Sequence, residues 1–398
     1  MCASSSEYAA VICPQCGGSI ASFAETIICP YCGVHLIRKS PTAPGASADI
    51  QGQVVQGMRF TTYTCMDNQG TGLEAFRMLI PVGWQVQGGV QWISGNPSMP
   101  AVLSFKASNP NGVEAFEAFP NQPFYWSSDP MTRMTFPVGS YYYGNEVRAP
   151  LNAQQTLRQL ILPRFRSVPG LEVIAEEHLP DLISQVRTTP QAAGPMSQTS
   201  ADGAKLRVRY AAQGFPVEEE LYGVVEYQRM GMPAMFGVIE MVYWMADYMF
   251  SFTARAGQLD GLKDLFTTML TSFKLNPQWF ARFSQISQYL AQNQIQQINN
   301  IGQLSQYLSQ VNNQISDTII SGYNQRQQVM ERLSDRFSQS IRGVDAYYDP
   351  NSGYGVELPG GYQHAWSNSL GEYIVSNDAF FDPNQNSNLN WTPLQQQR

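Results

Sequence analysis

The chain has 398 residues, beyond the length at which one hydrophobic core usually stops growing, so more than one domain is expected. Apolar residues at 43% and aromatics at 12% exclude global disorder, whereas charged residues are only 14%, against roughly 25% in an average soluble protein. A formal charge of −7 and a pI near 5.1 exclude a global attraction for phosphate backbones or anionic lipid, since both need clustered Lys and Arg.

The start, MCASSSEYAAVICP, has neither a basic leader nor an apolar run, so no signal peptide is predicted. Two copies of Cys-Pro-x-Cys-Gly follow, with twelve residues between Cys16 and Cys29. Two such knuckles facing each other supply four thiolates in the tetrahedral arrangement that Zn²⁺ accepts in closed structural sites. Cys13, Cys16, Cys29 and Cys32 are therefore the expected ligands of one Zn²⁺ per chain. The segment resembles a zinc ribbon, assigned to residues 11–36. Residues 1–40 balance Arg38 and Lys39 against Glu7 and Glu25, which disfavours nucleic acid as the ribbon's partner and favours protein docking. The cysteine spacing fits a reducing compartment, so the cytoplasm is expected. Residues 37–53 are rich in Pro, Ala, Gly and Ser, the composition of a tether.

From 54 to 275 short β-branched and aromatic runs alternate with Gly and Pro turns. Strands are expected over 58–65, 75–80, 85–93, 101–107, 113–119, 171–176, 205–212, 221–230, 235–244 and 248–254. Helices are expected over 154–165 and at the stripe Leu262, Leu265, Phe266, Met269, Leu270 and Phe273. The phrases Pro81-x-Gly83-Trp84 and Ser272-Phe273-x-Leu275 at the two ends make this block similar to the Mog1/PsbP/DcrB-like group. That resemblance implies an antiparallel-sheet α/β/α sandwich with a non-catalytic binding role. The acidic run Glu218 to Glu220 is expected on a solvated strand edge, and Cys65 as a small core residue. Glu240 and Asp247 stand out because they interrupt an apolar hairpin and would be costly if buried alone. No span long and apolar enough for a membrane helix is predicted.

Asn276-Pro277 is a helix start, and no proline follows until after Arg342. Ile301, Leu304, Leu308, Val311 and Ile315 keep a 3-4 spacing that Met330, Leu333, Phe337 and Ile341 take up again. A long Gln/Asn/Ser-rich helix or coiled coil over 276–343 is expected, self-associating into a homo-oligomer or folding back near Gly302 or Gly322. Residues 344–398 alternate short strands with Asn-Ser-Gly, Gly-Gly and Leu-Gly turns, and form the expected small all-β module. It is loosely similar to a WW domain at Leu358, Pro359, Tyr362, Trp391 and Pro393, although Tyr stands where that family has its first Trp. If its face binds, Tyr362, Trp366, Tyr373 and Trp391 form an exposed aromatic platform.

The fold class is thus multidomain α+β. The expected function is a non-enzymatic zinc-binding scaffold or adaptor working through protein partners. One alternative is an enzyme using Glu240 and Asp247 with His178 in a central pocket, and a second is a nucleic-acid binder carried by the ribbon.

Overall fold

The computed structural model describes residues 57–93, 96, 99–179, 197–234, 237–292, 319–324, 326–328, 344–385 and 389–396, and before these only four short strands. The chain divides into two units, Met1–Val54 and Val55–Arg398. In the first, Val11–Ile12 pairs antiparallel with Ser19–Ile20, and Thr26–Ile28 with His35–Ile37. Cys13, Cys16, Cys29 and Cys32 lie outside the described residues, as does the tether from residue 38.

The second unit is mostly sheet with few helices. Its spine is a meander of three long strands, Ser197–Ala212, Phe215–Ala234 and Gly237–Arg255. Gln213 and Gly214 join the first two with φ of 52° and 80°, a two-residue turn whose twist matches that of the paired strands. Gly237–Arg255 then serves two neighbours. Residues 241–246 pair with Gln122–Ser127, and residues 250–253 pair with Ala115–Ala118, which continues to Ala101–Ser108 and Gln85–Trp92. Ten strands result, and the sheet curls into a half-barrel instead of lying flat between helical layers. The accumulated twist of strands this long, with a bulge between Tyr222 and Val224, accounts for the curl. The same bulge merges into one strand the two expected over 235–254.

Glu218, Glu219 and Glu220 are not on a wet edge. They are buried in the central strand, Glu218 paired with Arg207 and Arg209 and Glu219 with Arg166. The positioned guanidinium groups are what make the burial tolerable.

A second sheet runs Lys274–Leu275, Glu74–Pro81, Gly57–Met66, Glu372–Ser376, His364–Ser367 and Thr392–Pro393. Strands from the last 55 residues therefore complete a sheet begun at residue 57, which corrects the expectation of a separate C-terminal module. Phe60, Leu79, Leu358 and Val375 bury together across that junction. Ser367 and Tyr373 both donate to the buried Asp349 carboxylate, at 2.6 and 2.9 Å, tying this sheet to the neighbouring Val344–Asp349 strand.

Helix Lys263–Thr271 packs Phe266, Met269 and Leu270 into the main core with Phe76, Phe105 and Phe116. Helix Pro277–Gln292 begins as the sequence predicts, the Asn276 side chain accepting from the Gln278 amide at 2.9 Å. The Trp279 indole donates to Asp67, as does that of Trp92, both at 2.9 Å. No long helix or coiled coil occurs among the described residues. A continuous helix would separate Phe280 from Tyr323 by about 65 Å, yet their rings lie 5.9 Å apart. The chain has turned back between them, which corrects the straight rod. The turn itself and the seam from Ile301 to Ile315 lie outside the described residues, as do Met330, Leu333, Phe337 and Ile341.

Candidate functional site

The two pairing regimes of Gly237–Arg255 part at Asp247 and Tyr248. Asp247 faces Val224 and Phe250 faces Tyr222, so the strand carries an extra residue between them. Tyr248 takes φ 48° there, a left-handed conformation costing a residue other than glycine about 1–3 kcal/mol. Two contacts hold it. Its own N–H donates to Asp247 Oδ1 at 2.6 Å, and the Arg326 guanidinium lies 4.8 Å over its ring.

Asp247 is 2% exposed and fully engaged. Arg326 grips it with both terminal nitrogens, Nη1 to Oδ2 at 3.1 Å and Nη2 to Oδ1 at 2.9 Å, and Asn121 Nδ2 donates to Oδ1 as well. Glu226, two residues along from Val224, joins this cluster electrostatically. Burial and the Asp247 charge push its carboxyl up to about 7, against the opposing pull of Arg326.

Above the ion pair lies a cavity of about 140 Å³. Phe105 and Phe116 line it from the sheet, Phe273 from beyond the preceding helix, Trp279 and Phe283 from helix Pro277–Gln292. Arg326 and Gln327 close its polar end. Gln327 Nε2 donates to the Tyr323 hydroxyl at 3.0 Å, and that hydroxyl donates to the Leu275 carbonyl at 3.0 Å. The returning segment is thereby seated beside the start of the helix it folds back on. The arrangement is an apolar, aromatic chamber with one oriented guanidinium at its end, the form of a small-ligand site.

The aromatic platform expected near the C-terminus is not assembled. Strand alternation separates its members: Trp366 faces Ile374 and packs with Trp391, whereas Tyr373 faces Ser367 and packs with Phe60 and Val375. Trp366, Tyr373 and Trp391 are buried, and Tyr362 is half-buried against the same core as Tyr373. These side chains are core, which corrects the binding assignment.

Nor do the carboxylates and histidine of the enzyme alternative meet. Glu240 pairs with Arg229 at 2.9 Å and His178 with Asp202 at 2.6 Å, each with a partner other than the one Asp247 uses. Only Asp247 reaches the cavity. Sequence reasoning passed over Arg326, Asn121, Glu226 and Tyr248. A signal existed for Arg326: it is a lone cation closing a stretch from 284 to 325 whose only charged residue is Asp317.

Among the described residues no group of three or more His, Cys, Asp or Glu side chains is placed to hold a metal, and no helix is long and apolar enough to cross a membrane. The chain matches no protein-family model and no curated protein.

Proposed function

We infer that this chain is a non-enzymatic binding protein in which a zinc ribbon docks a protein partner and the sheet domain holds a small ligand. The observation that carries the reading is the aromatic cavity ending on the Asp247–Arg326 pair. Both carboxylate oxygens of Asp247 already accept hydrogen bonds, so its role there is to orient Arg326, and Arg326 is left to recognise. The binding role is also what the resemblance of residues 58–276 to the Mog1/PsbP/DcrB-like group implies.

For the ribbon, support comes from the chain order. Each Cys-Pro-x-Cys pair falls between two strands that pair antiparallel, Val11–Ile12 with Ser19–Ile20 and Thr26–Ile28 with His35–Ile37. Cys13, Cys16, Cys29 and Cys32 would hold one Zn²⁺, and four thiolates leave it no open position for catalysis. The seam of residues 301–315 supports self-association of the folded-back segment, to be checked by solution mass.

The pocket is tested with toluene, a neutral ring of the right size. Saturation-transfer NMR should show it binding the full chain, and Ala118→Met, which fills the cavity wall, should abolish the signal. A folded wild-type chain that does not bind toluene overturns the pocket reading. The ribbon is tested by metal analysis of freshly reduced protein, where one zinc per chain is expected and Cys29→Ser should remove it.

A further inference from the structure

We propose that the cavity takes a small carboxylic acid, a single aromatic ring or a chain of about six to nine carbons, whose carboxylate docks on the free edge of Arg326. The proposal rests on the pocket reading above and gives that site its ligand class.

Size comes from the volume. An apolar protein cavity of about 150 Å³ accommodates a benzene ring, and this one is about 140 Å³ with an opening to solvent. One ring and a short tail fit; a long acyl chain or a nucleotide does not. The walls are Phe105, Phe116, Trp279 and Phe283, which offer ring faces and edges and few hydrogen-bonding groups to an entering molecule.

The head group comes from the geometry of the guanidinium. Arg326 holds Asp247 end-on through Nη1 and Nη2, one N–H each. That leaves the side edge, Nε–H with the neighbouring Nη–H, which is the second of the two forks on which a guanidinium accepts a carboxylate bidentately. Arg326 is 34% exposed while its partner Asp247 is 2% exposed, and both line the cavity. An ammonium head would meet the opposite situation, because the oxygens of Asp247 already accept from Arg326, Asn121 and the Tyr248 amide, and the neighbouring Glu226 carboxyl, pushed up to about 7, mostly keeps its proton at pH 6.5. Tyr248 beneath the guanidinium fixes its plane, so the free fork is held ready.

The experiment uses three isosteric probes on the full chain: 3-phenylpropanoate, 3-phenylpropan-1-ol and 3-phenylpropylamine, titrated calorimetrically at pH 6.5. The acid is expected to bind tightest, roughly tenfold or more over the amine, with the alcohol between. Arg326→Lys keeps the positive charge but removes the fork, and should weaken the acid several-fold while leaving the alcohol nearly unchanged. If that variant fails to fold by circular dichroism, the probe order on the wild-type chain decides alone. An amine that binds as well as the acid, or toluene binding with no gain from the carboxylate, overturns the ligand class and leaves the pocket standing. Failure of toluene together with all three probes overturns both.

Discussion

Glu226 and Asp247 face a single guanidinium, and one cation cannot neutralise two carboxylates withdrawn from water. The folded chain therefore keeps the Glu226 proton up to about pH 7, whereas the unfolded chain releases it near 4.5. Between those values the folded state binds more protons, so this group's contribution to stability is full below about pH 4.5 and is lost as pH rises through 7. Urea midpoints measured at pH 5, 6, 7 and 8 should fall across that window, and Glu226→Gln should flatten the profile; an unchanged slope in the variant contradicts the assignment. Removing the cation has the opposite sign of charge error. Arg326→Met strands the buried Asp247, with a loss toward the low end of the roughly 3–5 kcal/mol typical of broken buried pairs, because Arg326 itself is partly solvated. Asp247 was legible in the sequence as a charge in an apolar run, and so was Glu240, yet only one of them is buried. Seven residues apart in the regularly paired half of the strand, before the extra residue at Tyr248, they fall on opposite faces by alternation alone; what the sequence left open was which face is covered.

Local turn chemistry carried more information at the level of elements than the reading of Glu218 to Glu220 used. A two-residue turn at Gln213 and Gly214 places Arg207 opposite Glu220 and Arg209 opposite Glu218, so the acidic run could have been paired from the hairpin register alone. Arg166 could not have been found this way. It arrives from the end of the helical segment over 153–165 to meet Glu219 at 2.7 Å, and it caps the Phe119 ring at 4.9 Å. Arg166→Met leaves Glu219, which is fully buried, without its counterion, and should lower the unfolding free energy by about 3–5 kcal/mol in denaturant titration. The turn-back of the polar helix likewise lay beyond sequence reach, since a 3-4 seam satisfies a rod and a hairpin equally well. Nitroxide labels at the exposed positions Gln278 and Asn324 distinguish them. With unlabelled chain in excess, a short intramolecular distance is expected; one near 69 Å, the span of 46 helical residues, would restore the rod.

For the whole second unit, the order of strands matters more than their number. Gly57–Met66 lies between Glu74–Pro81, its neighbour in sequence, and Glu372–Ser376, which is more than 300 residues away. A boundary at residue 343 looked natural because the composition changes there and the following turns suffice for a small meander. Long-range pairing is the one thing such local signals do not encode. Its consequence can be tested by deleting residues 344–398. Were they a separate bead, the remaining chain would unfold at the same midpoint as the full protein. In the structure, their removal strips Leu358 and Val375 from Phe60 and Leu79 and bares the edge of Gly57–Met66, a row of unpaired N–H and C=O groups next to newly exposed aromatic surface. The truncated chain should therefore lose its cooperative transition near the full-length midpoint and aggregate at micromolar concentration. A synthetic segment covering 344–398, added during refolding, should restore both the transition and solubility, because the Glu372–Ser376 strand supplies the missing ladder from outside. An unchanged midpoint for the truncated chain would show that the sheet closes without its C-terminal strands.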